Sequence, residues 1–180
     1  MPQNSIHVLF VDDEPWTVRE HRAELTDRGH QVEFKSDADD AYKKLRQDKD
    51  DAFSEYHAII LDIKMEPPVS KHNRAQMAKL GCDAEDVGAY LYSTFREWNT
   101  VTPVILFSQL MAIEIESSLR KLARHFKLWP NDVVSSEDTD TFAHWLEQNQ
   151  RTLLELKNGK CANVQRFADL VESVVERWPT

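Results

Sequence analysis

Short apolar runs, separated by longer polar segments, recur along the chain. Three of them have the continuous apolar character of strands that are buried on both faces, as in a parallel sheet: Ile6–Val11, His57–Asp62 and Pro103–Phe107. The alternating segment Gln31–Lys35 predicts a fourth strand, and residues 132–134 predict a weak fifth strand. The chain therefore contains the strands of a five-stranded sheet.

The segments between these strands carry apolar residues at the 3.6-residue spacing of amphipathic helices. We predict helices over approximately 15–28, 37–46, 86–98, 109–126 and 135–154, and one more over 164–178. Strands that alternate with helices in this way indicate a parallel sheet with helices on both faces. The predicted fold class is α/β, a flavodoxin-like doubly wound sheet with strand order 2-1-3-4-5 and an extra C-terminal helix.

One segment of the chain, residues 66–83, has no clear period, and we predict that it is an insertion between strand 3 and helix 3. It contains a small basic island at 71–79, which is typical of a solvated loop. We expect one domain over residues 1–157 that carries this insertion, followed by a C-terminal amphipathic helix over 158–180. The apolar stripe of that helix favours packing on the domain itself, and an exposed stripe would instead be a docking or dimerisation surface.

Composition and charge argue against nucleic acid and membrane as partners. The formal net charge of −9 argues against nucleic acid, because phosphate binding needs clustered Lys and Arg. The longest apolar runs are far shorter than the ~20 residues that span a membrane. Cys82 and Cys161 form no disulfide or metal pattern. We therefore expect a cytoplasmic protein that binds neither nucleic acid nor membrane.

Polar side chains follow three of the predicted strands. Asp12 and Asp13 come after the first strand, and Asp62 ends the central one. Ser108 follows the run at 103–107. The order of strands in a doubly wound sheet brings these strand ends together, and three adjacent carboxylates need a compensating cation. A hard divalent ion such as Mg²⁺ fits that need, and a carboxylate beside it suits phosphoryl transfer with Asp62 as nucleophile.

These motifs resemble the receiver domain of two-component response regulators over residues 5–150. The resemblance rests on Val11-Asp12-Asp13-Glu14-Pro15, on Leu61-Asp62-Ile63-Lys64-Met65 and on Thr102–Ser108. It implies that Asp62 accepts a phosphoryl group from a histidine kinase or phosphotransfer protein. It also implies that Asp12, Asp13, Asp62 and the main-chain carbonyl of Lys64 bind Mg²⁺, and that Ser108 is a switch hydroxyl. Phosphorylation would then reshape the face formed by the fourth helix, the fifth strand and the fifth helix.

The same resemblance predicts three departures from the family. The lysine that follows strand 5 should fall at Ser135, so this lysine is predicted to be missing. The family's aromatic switch residue of strand 5 should fall near Asp132, which is not aromatic. The connection from Asp62 to Ser108 is longer than the family norm by about a dozen residues or more, which the insertion at 66–83 explains.

Three functions remain open at this point. The first is a single-domain response regulator without an enzymatic output, which signals to an unknown downstream protein and could form a homodimer. The second is a degenerate receiver that acts as an interaction module without phosphorylation, which the missing lysine and the non-aromatic Asp132 favour and the three acids oppose. The third is a Mg²⁺-dependent phosphohydrolase that resembles the haloacid dehalogenase family. Such enzymes need a general acid two residues after the nucleophile, and Lys64 stands at that position.

Overall fold

The apolar runs lie at the centre of a five-stranded sheet with helices on both faces. The computed structural model of the protein describes residues 5–47, 55–67, 70–109, 139–157 and 163–179. The strands are β1 (His7–Val11), β2 (Gln31–Lys35), β3 (Ala58–Leu61), β4 (Val104–Ser108) and β5 (Thr152–Leu156). The helices within these ranges are α1 (Arg19–Asp27), α2 (Ala38–Gln47), α3 (Lys71–Lys79), α4 (Val87–Arg96), α5 (Thr139–Gln150) and α6 (Val164–Arg177). None of these helices is long and apolar enough to cross a membrane.

All neighbouring strands of the sheet are parallel, in the order β2-β1-β3-β4-β5. The predicted fold class and strand order are therefore confirmed. The register places the carboxyl ends of β1, β3, β4 and β5 at one edge, with Val11 opposite Leu61 and Ser108 opposite Leu156. Residues that follow these strands consequently meet at the edge where open α/β sheets bind their ligands.

Both faces of the sheet are buried, which explains why its central strands have no polar alternation. Successive side chains of a strand point to opposite faces. One face packs on α2 and α4 through Leu9, Val11, Ile59, Leu61 and Leu106. The other face packs on α1 and α6 through Val8, Phe10, Ile60, Ile105 and Phe107.

The last strand does not lie where the sequence pattern predicts it. β5 is Thr152–Leu156, whereas residues 132–134 lie outside the described part of the chain. The helix predicted to continue to residue 154 ends at Gln150, and Arg151 alone separates it from β5. That residue has a positive φ of 46°, which lets the chain turn from helix to strand at one position. The assignment of strand 5 to 132–134 is wrong, and β5 carries no aromatic residue.

Helix α6 packs on the core of the domain with one face. Its apolar stripe is buried, with Phe167 in contact with the rings of Phe10 and Phe107. At the other edge of α6, Glu172 accepts from His30 Nε2 at 2.9 Å and pairs with Arg28. The stripe therefore packs on the domain, as favoured from the sequence, and is not an exposed docking surface.

The segment at 66–83, which has no clear sequence period, contains the helix α3. Ser70 caps this helix by accepting a hydrogen bond from the backbone N–H of Asn73. The carboxylate of Asp39 on α2 accepts from Ser70 N at 2.7 Å and from Asn73 Nδ2 at 2.6 Å. The basic island at 71–79 is thus helical and is fixed to the domain.

Candidate functional site

Four polar side chains converge at the carboxyl edge of the sheet because each belongs to the end of a strand. Asp12 follows β1, Asp62 follows β3, Ser108 ends β4 and Lys157 follows β5. Backbone hydrogen bonds to the neighbouring strand hold three of these positions, from Asp12 N to Lys35 O, from Asp62 N to Val11 O and from Lys157 N to Ser108 O. Their side chains are buried. The sheet therefore presents these groups with little freedom to move.

Lys157 lies between two carboxylates. Its Nζ donates to Asp62 Oδ2 at 2.6 Å and lies 2.6 Å from Asp12 Oδ2 in an ion pair. Burial opposes the ammonium form, but the two carboxylates outweigh it and raise the pKa of Lys157 above its ordinary value. This lysine is therefore a permanent positive charge within the site.

Asp12 is fully buried, and its charge is only partly compensated. Its Oδ1 accepts from the backbone N–H of Glu14 at 2.9 Å. Burial raises the pKa of Asp12 to about 6, although the contact with Lys157 lowers it, and the neighbouring charge of Asp62 adds to the rise. The site consequently holds an excess of negative charge that a further cation would relieve.

Both oxygens of Asp62 accept hydrogen bonds. Oδ1 accepts from Ile63 N and from Ser108 Oγ, each at 2.7 Å, and Oδ2 accepts from Lys157. Asp62 as a whole residue is buried, with 6% of its surface exposed. It is thus oriented by a hydroxyl on one side and an ammonium on the other.

Asp13 is only partly buried and connects the site to the insertion. Its Oδ2 accepts from the backbone N–H of Glu66 at 2.7 Å. One oxygen each of Asp12, Asp13 and Asp62 lies within 4.8 Å of the others. Three carboxylate oxygens around one point, one of them with a raised pKa, fit a hard divalent cation such as Mg²⁺.

The loop after Asp62 is hydrogen-bonded to the start of α4 and to the residues just before it. Gly88 N donates to Ile63 O at 3.0 Å, and Met65 N donates to Glu85 O at 3.3 Å. Lys64 directs its side chain to the buried Asp86, with 2.6 Å between Nζ and Oδ1. The main-chain carbonyl of Lys64 stays a predicted metal ligand, and α4 fixes the loop that carries it.

Gly88 allows this close approach between α4 and the end of β3. A Cβ at position 88 would lie 1.8 Å from the carbonyl oxygen of Asp62. Such a contact is far shorter than atoms tolerate, so only glycine fits here without movement of the site.

The structure brings together Asp12, Asp13, Asp62 and Ser108, the four residues singled out from the sequence. It adds Lys157, which the sequence prediction missed because β5 was not recognised. The expectation of a missing lysine at Ser135 is wrong: Ser135 lies outside the described residues, and a lysine does follow strand 5. The signal in the sequence was the run Leu153-Leu-Glu-Leu-Lys157, a mainly apolar segment that, like the other strands of the site, ends on a polar side chain.

Several solved structures of similar shape are described as receiver domains. A CheY-like response regulator receiver domain from Methanospirillum hungatei matches with a TM-score of 0.58 and 13% identity over 97% of each chain. The NtrX receiver domain from Brucella abortus matches at 0.54, with 19% identity over 94% of this chain and 98% of that one. The beryllofluoride-activated DrrB receiver domain matches at 0.52, with 14% identity over 96% and 99%.

The sequence itself gives no comparable match: no protein-family model and no curated protein matches it. The likeness is therefore one of shape, carried by a parallel sheet of the same order. The chain has the fold of the CheY-like receiver domains of response regulators.

Proposed function

We propose that this protein is a response regulator receiver that accepts a phosphoryl group on Asp62 in the presence of Mg²⁺. The observation that carries the proposal is the environment of Asp62, with Lys157 and Ser108 on its two oxygens and Asp12 and Asp13 beside it. A buried carboxylate that faces an ammonium, a hydroxyl and a cluster of acids suits an acyl phosphate better than a purely structural role.

The residues have distinct tasks in this transfer. A carboxylate oxygen of Asp62 forms a bond to the phosphorus of the donor. The bond between phosphorus and the leaving nitrogen breaks, and that nitrogen keeps the electron pair and takes up a proton. Lys157 supplies a fixed positive charge for the new phosphoryl oxygens, and Ser108 supplies a hydroxyl that can donate to them. Asp12, Asp13, Asp62 and the carbonyl of Lys64 would hold Mg²⁺, which would supply positive charge to the phosphoryl oxygens.

The proposed donor is a histidine kinase or a phosphotransfer protein, and the output is binding to a downstream protein in the cytoplasm. We propose that the protein signals by association with that partner. The proposal places phosphoryl transfer at the site formed by Asp12, Asp13, Asp62, Ser108 and Lys157. Phosphorylation would bias the domain between two arrangements that a partner distinguishes.

The two other functions have lost support. The degenerate receiver depended on a missing lysine, and Lys157 occupies the end of strand 5. The phosphohydrolase needs a general acid where Lys64 stands, and the ammonium of Lys64 pairs with Asp86. The degenerate receiver keeps one observation in its favour, the absence of an aromatic residue from β5, and the described residues offer none for the phosphohydrolase.

Beryllofluoride, which forms a tetrahedral mimic of a phosphoryl group on a carboxylate, tests the proposal. With Mg²⁺ present, ¹⁹F NMR of the wild-type protein should show bound fluoride resonances that EDTA abolishes. Asp62→Asn should show none, because an amide oxygen cannot coordinate beryllium as a carboxylate does. Asp27→Asn, which removes an exposed acid of α1, is the matched control and should bind like wild type.

Unchanged binding by Asp62→Asn would refute the assignment of the acceptor. Failure of the folded wild-type protein to bind beryllofluoride at saturating Mg²⁺ would refute the receiver chemistry altogether.

A further inference from the structure

The insertion reaches the acid cluster of the site through a backbone amide. Glu66 N, at the first position of the insertion, donates to Asp13 Oδ2 at 2.7 Å. Asp13 is one of the three acids whose carboxylate oxygens lie within 4.8 Å of one another. The side chain of Glu66 is exposed, so the contact belongs to its backbone. A main-chain N–H of the insertion is thus in direct contact with a proposed ligand of Mg²⁺.

The other two acids of the cluster are oriented by side chains, whereas Asp13 is oriented by the insertion. Asp12 pairs with Lys157, and Asp62 accepts a side-chain hydrogen bond on each oxygen. Within the described residues, the amide of Glu66 is the hydrogen-bond donor to the side chain of Asp13. A carboxylate offers about four lone-pair sites, so this bond leaves room for a cation on the same group. A side chain that is already held in one orientation loses less conformational entropy when a metal binds.

The amide of Glu66 is held in place from both sides by contacts outside the acid cluster. Before it, Met65 N donates to Glu85 O at 3.3 Å. After it, Ser70 N donates to the buried carboxylate of Asp39 on α2 at 2.7 Å. The position of the amide is therefore set by α2 and by the chain that leads into α4. Fixed hydrogen-bond partners of this kind orient the ligands of metal ions in proteins.

We propose that the N–H of Glu66 positions Asp13 for Mg²⁺, so that occupation of the metal site and attachment of the insertion stabilise each other. The inference rests on the Mg²⁺ site of the proposed function and adds the insertion to that site as a means of regulation. Coupling is reciprocal, so the amide strengthens Mg²⁺ binding by the same factor by which Mg²⁺ strengthens the hydrogen bond. A partner that pulls the start of the insertion away from Asp13 would consequently weaken Mg²⁺ binding and, with it, phosphoryl uptake at Asp62.

Glu66→Pro tests the proposal, because proline has no N–H to donate. The preceding residue, Met65, forms a β-bridge with Asp86 and is therefore in the extended conformation that a residue before proline adopts. Glu66→Ala is the matched control, since it removes the same exposed charge and keeps the N–H. In isothermal titration calorimetry, Glu66→Pro should bind Mg²⁺ roughly tenfold more weakly than Glu66→Ala, while the two variants give the same circular dichroism spectrum.

Hydrogen exchange of the wild-type protein tests the coupling without any substitution. In ¹⁵N-labelled protein followed by NMR, the Glu66 amide should exchange severalfold more slowly with Mg²⁺ than without it, because the bound ion favours the closed hydrogen bond. The amide of Gly29, which donates to Thr26 O at the end of α1, is the control and should exchange at the same rate in both conditions. This measurement decides the proposal if Glu66→Pro does not fold.

Two results would overturn this proposal alone. The first is equal Mg²⁺ affinity of the folded Glu66→Pro and Glu66→Ala variants. The second is exchange at Glu66 that Mg²⁺ leaves unchanged or accelerates, since the ion would then ignore or break the contact with the insertion. Absence of Mg²⁺ binding by the wild-type protein would instead overturn both this proposal and the Mg²⁺ site of the proposed function.

Discussion

At the scale of single residues, Lys157 compensates two buried carboxylates at once. Its Nζ lies 2.6 Å from an oxygen of Asp12 and 2.6 Å from an oxygen of Asp62. Removal of one partner from a buried ion pair leaves an uncompensated charge and is costly. The site therefore depends on this lysine for stability, in addition to the part in phosphoryl transfer that we propose for it.

We predict that Lys157→Ala lowers the free energy of unfolding by roughly 3 kcal/mol at neutral pH without Mg²⁺. Mg²⁺ should restore more stability to this variant than it adds to wild type, because the ion replaces the lost positive charge. Urea unfolding with and without Mg²⁺ measures both effects. In Lys43→Ala, which breaks an exposed pair with Asp40, the change should stay within about 0.5 kcal/mol. Equal Mg²⁺ increments in Lys157→Ala and wild type would contradict the role of the lysine.

The raised pKa of Asp12 predicts a specific dependence on pH. In the folded protein this carboxyl keeps its proton up to about pH 6, whereas in the unfolded chain it ionises near its ordinary value of 3.8. Between these values the folded state binds more protons, so the contribution of Asp12 to stability falls as pH rises from about 4 to about 6 and is constant above. The loss is on the order of 2 kcal/mol.

Asp12→Asn removes this titration. In Mg²⁺-free buffer, the difference in unfolding free energy between the variant and wild type should therefore grow in favour of the variant from pH 4 to pH 6. The comparison cancels the titration of acids that do not interact with Asp12. Parallel pH curves for the two proteins would show that Asp12 ionises normally in the folded state.

The acids of the site could be foreseen because each ends a visible apolar run. Asp12, Asp13 and Asp62 stand where a parallel sheet gathers its strand ends, and Ser108 follows the same rule. Lys157 follows the rule as well, but its strand was hidden. The strand was missed because the helical pattern of α5 continues into β5, and not because of the lysine itself.

At the scale of elements, the junction of α5 and β5 explains that omission. Arg151 is the single residue between them, so no loop of turn-forming residues marks the change. Leu146, Leu153 and Leu154 also fall at helical spacing, which extends the apparent period of α5 into the strand. Pairing with β4 overrides this local pattern, because Leu153 and Leu154 lie beside Ile105 and Leu106 in the sheet.

The contact between α4 and the end of β3 is the second decisive junction. Gly88→Ala should cost about 3 kcal/mol or more of unfolding free energy and impair Mg²⁺ binding, because its Cβ would overlap the carbonyl of Asp62. Thermal unfolding and a Mg²⁺ titration measure these losses. Gly81→Ala serves as the control, since nothing lies within 4 Å of its Cβ. That control should cost only the strain of its positive φ, roughly 1 kcal/mol, and should bind Mg²⁺ normally.

At the scale of the whole molecule, α6 completes the second face of the sheet. Phe167 is fully buried, and it contacts the rings of His21, Phe10 and Phe107. The sequence predicted the amphipathic stripe of this helix and favoured its burial. The residues that α6 contacts depend on the path of the whole chain. The apolar spacing within the helix does not reveal that path.

Phe167→Ala should lower the free energy of unfolding by about 3–5 kcal/mol, because it leaves a cavity beneath α6. Glu176→Ala on the exposed side of the same helix should change it by no more than about 0.5 kcal/mol. Chemical denaturation followed by circular dichroism measures both. A change in Phe167→Ala as small as that in Glu176→Ala would mean that α6 is peripheral to the core.

The most direct measurement is the intact mass of the protein after incubation with Mg²⁺ and phosphoramidate. Wild type should gain one phosphoryl group that hydroxylamine removes, as expected of an acyl phosphate, and EDTA should prevent the gain. Asp62→Asn should remain unmodified. A phosphoryl group that appears equally on Asp62→Asn, or no adduct on wild type with Mg²⁺ bound, would contradict the account of Asp62 as the phosphoryl acceptor.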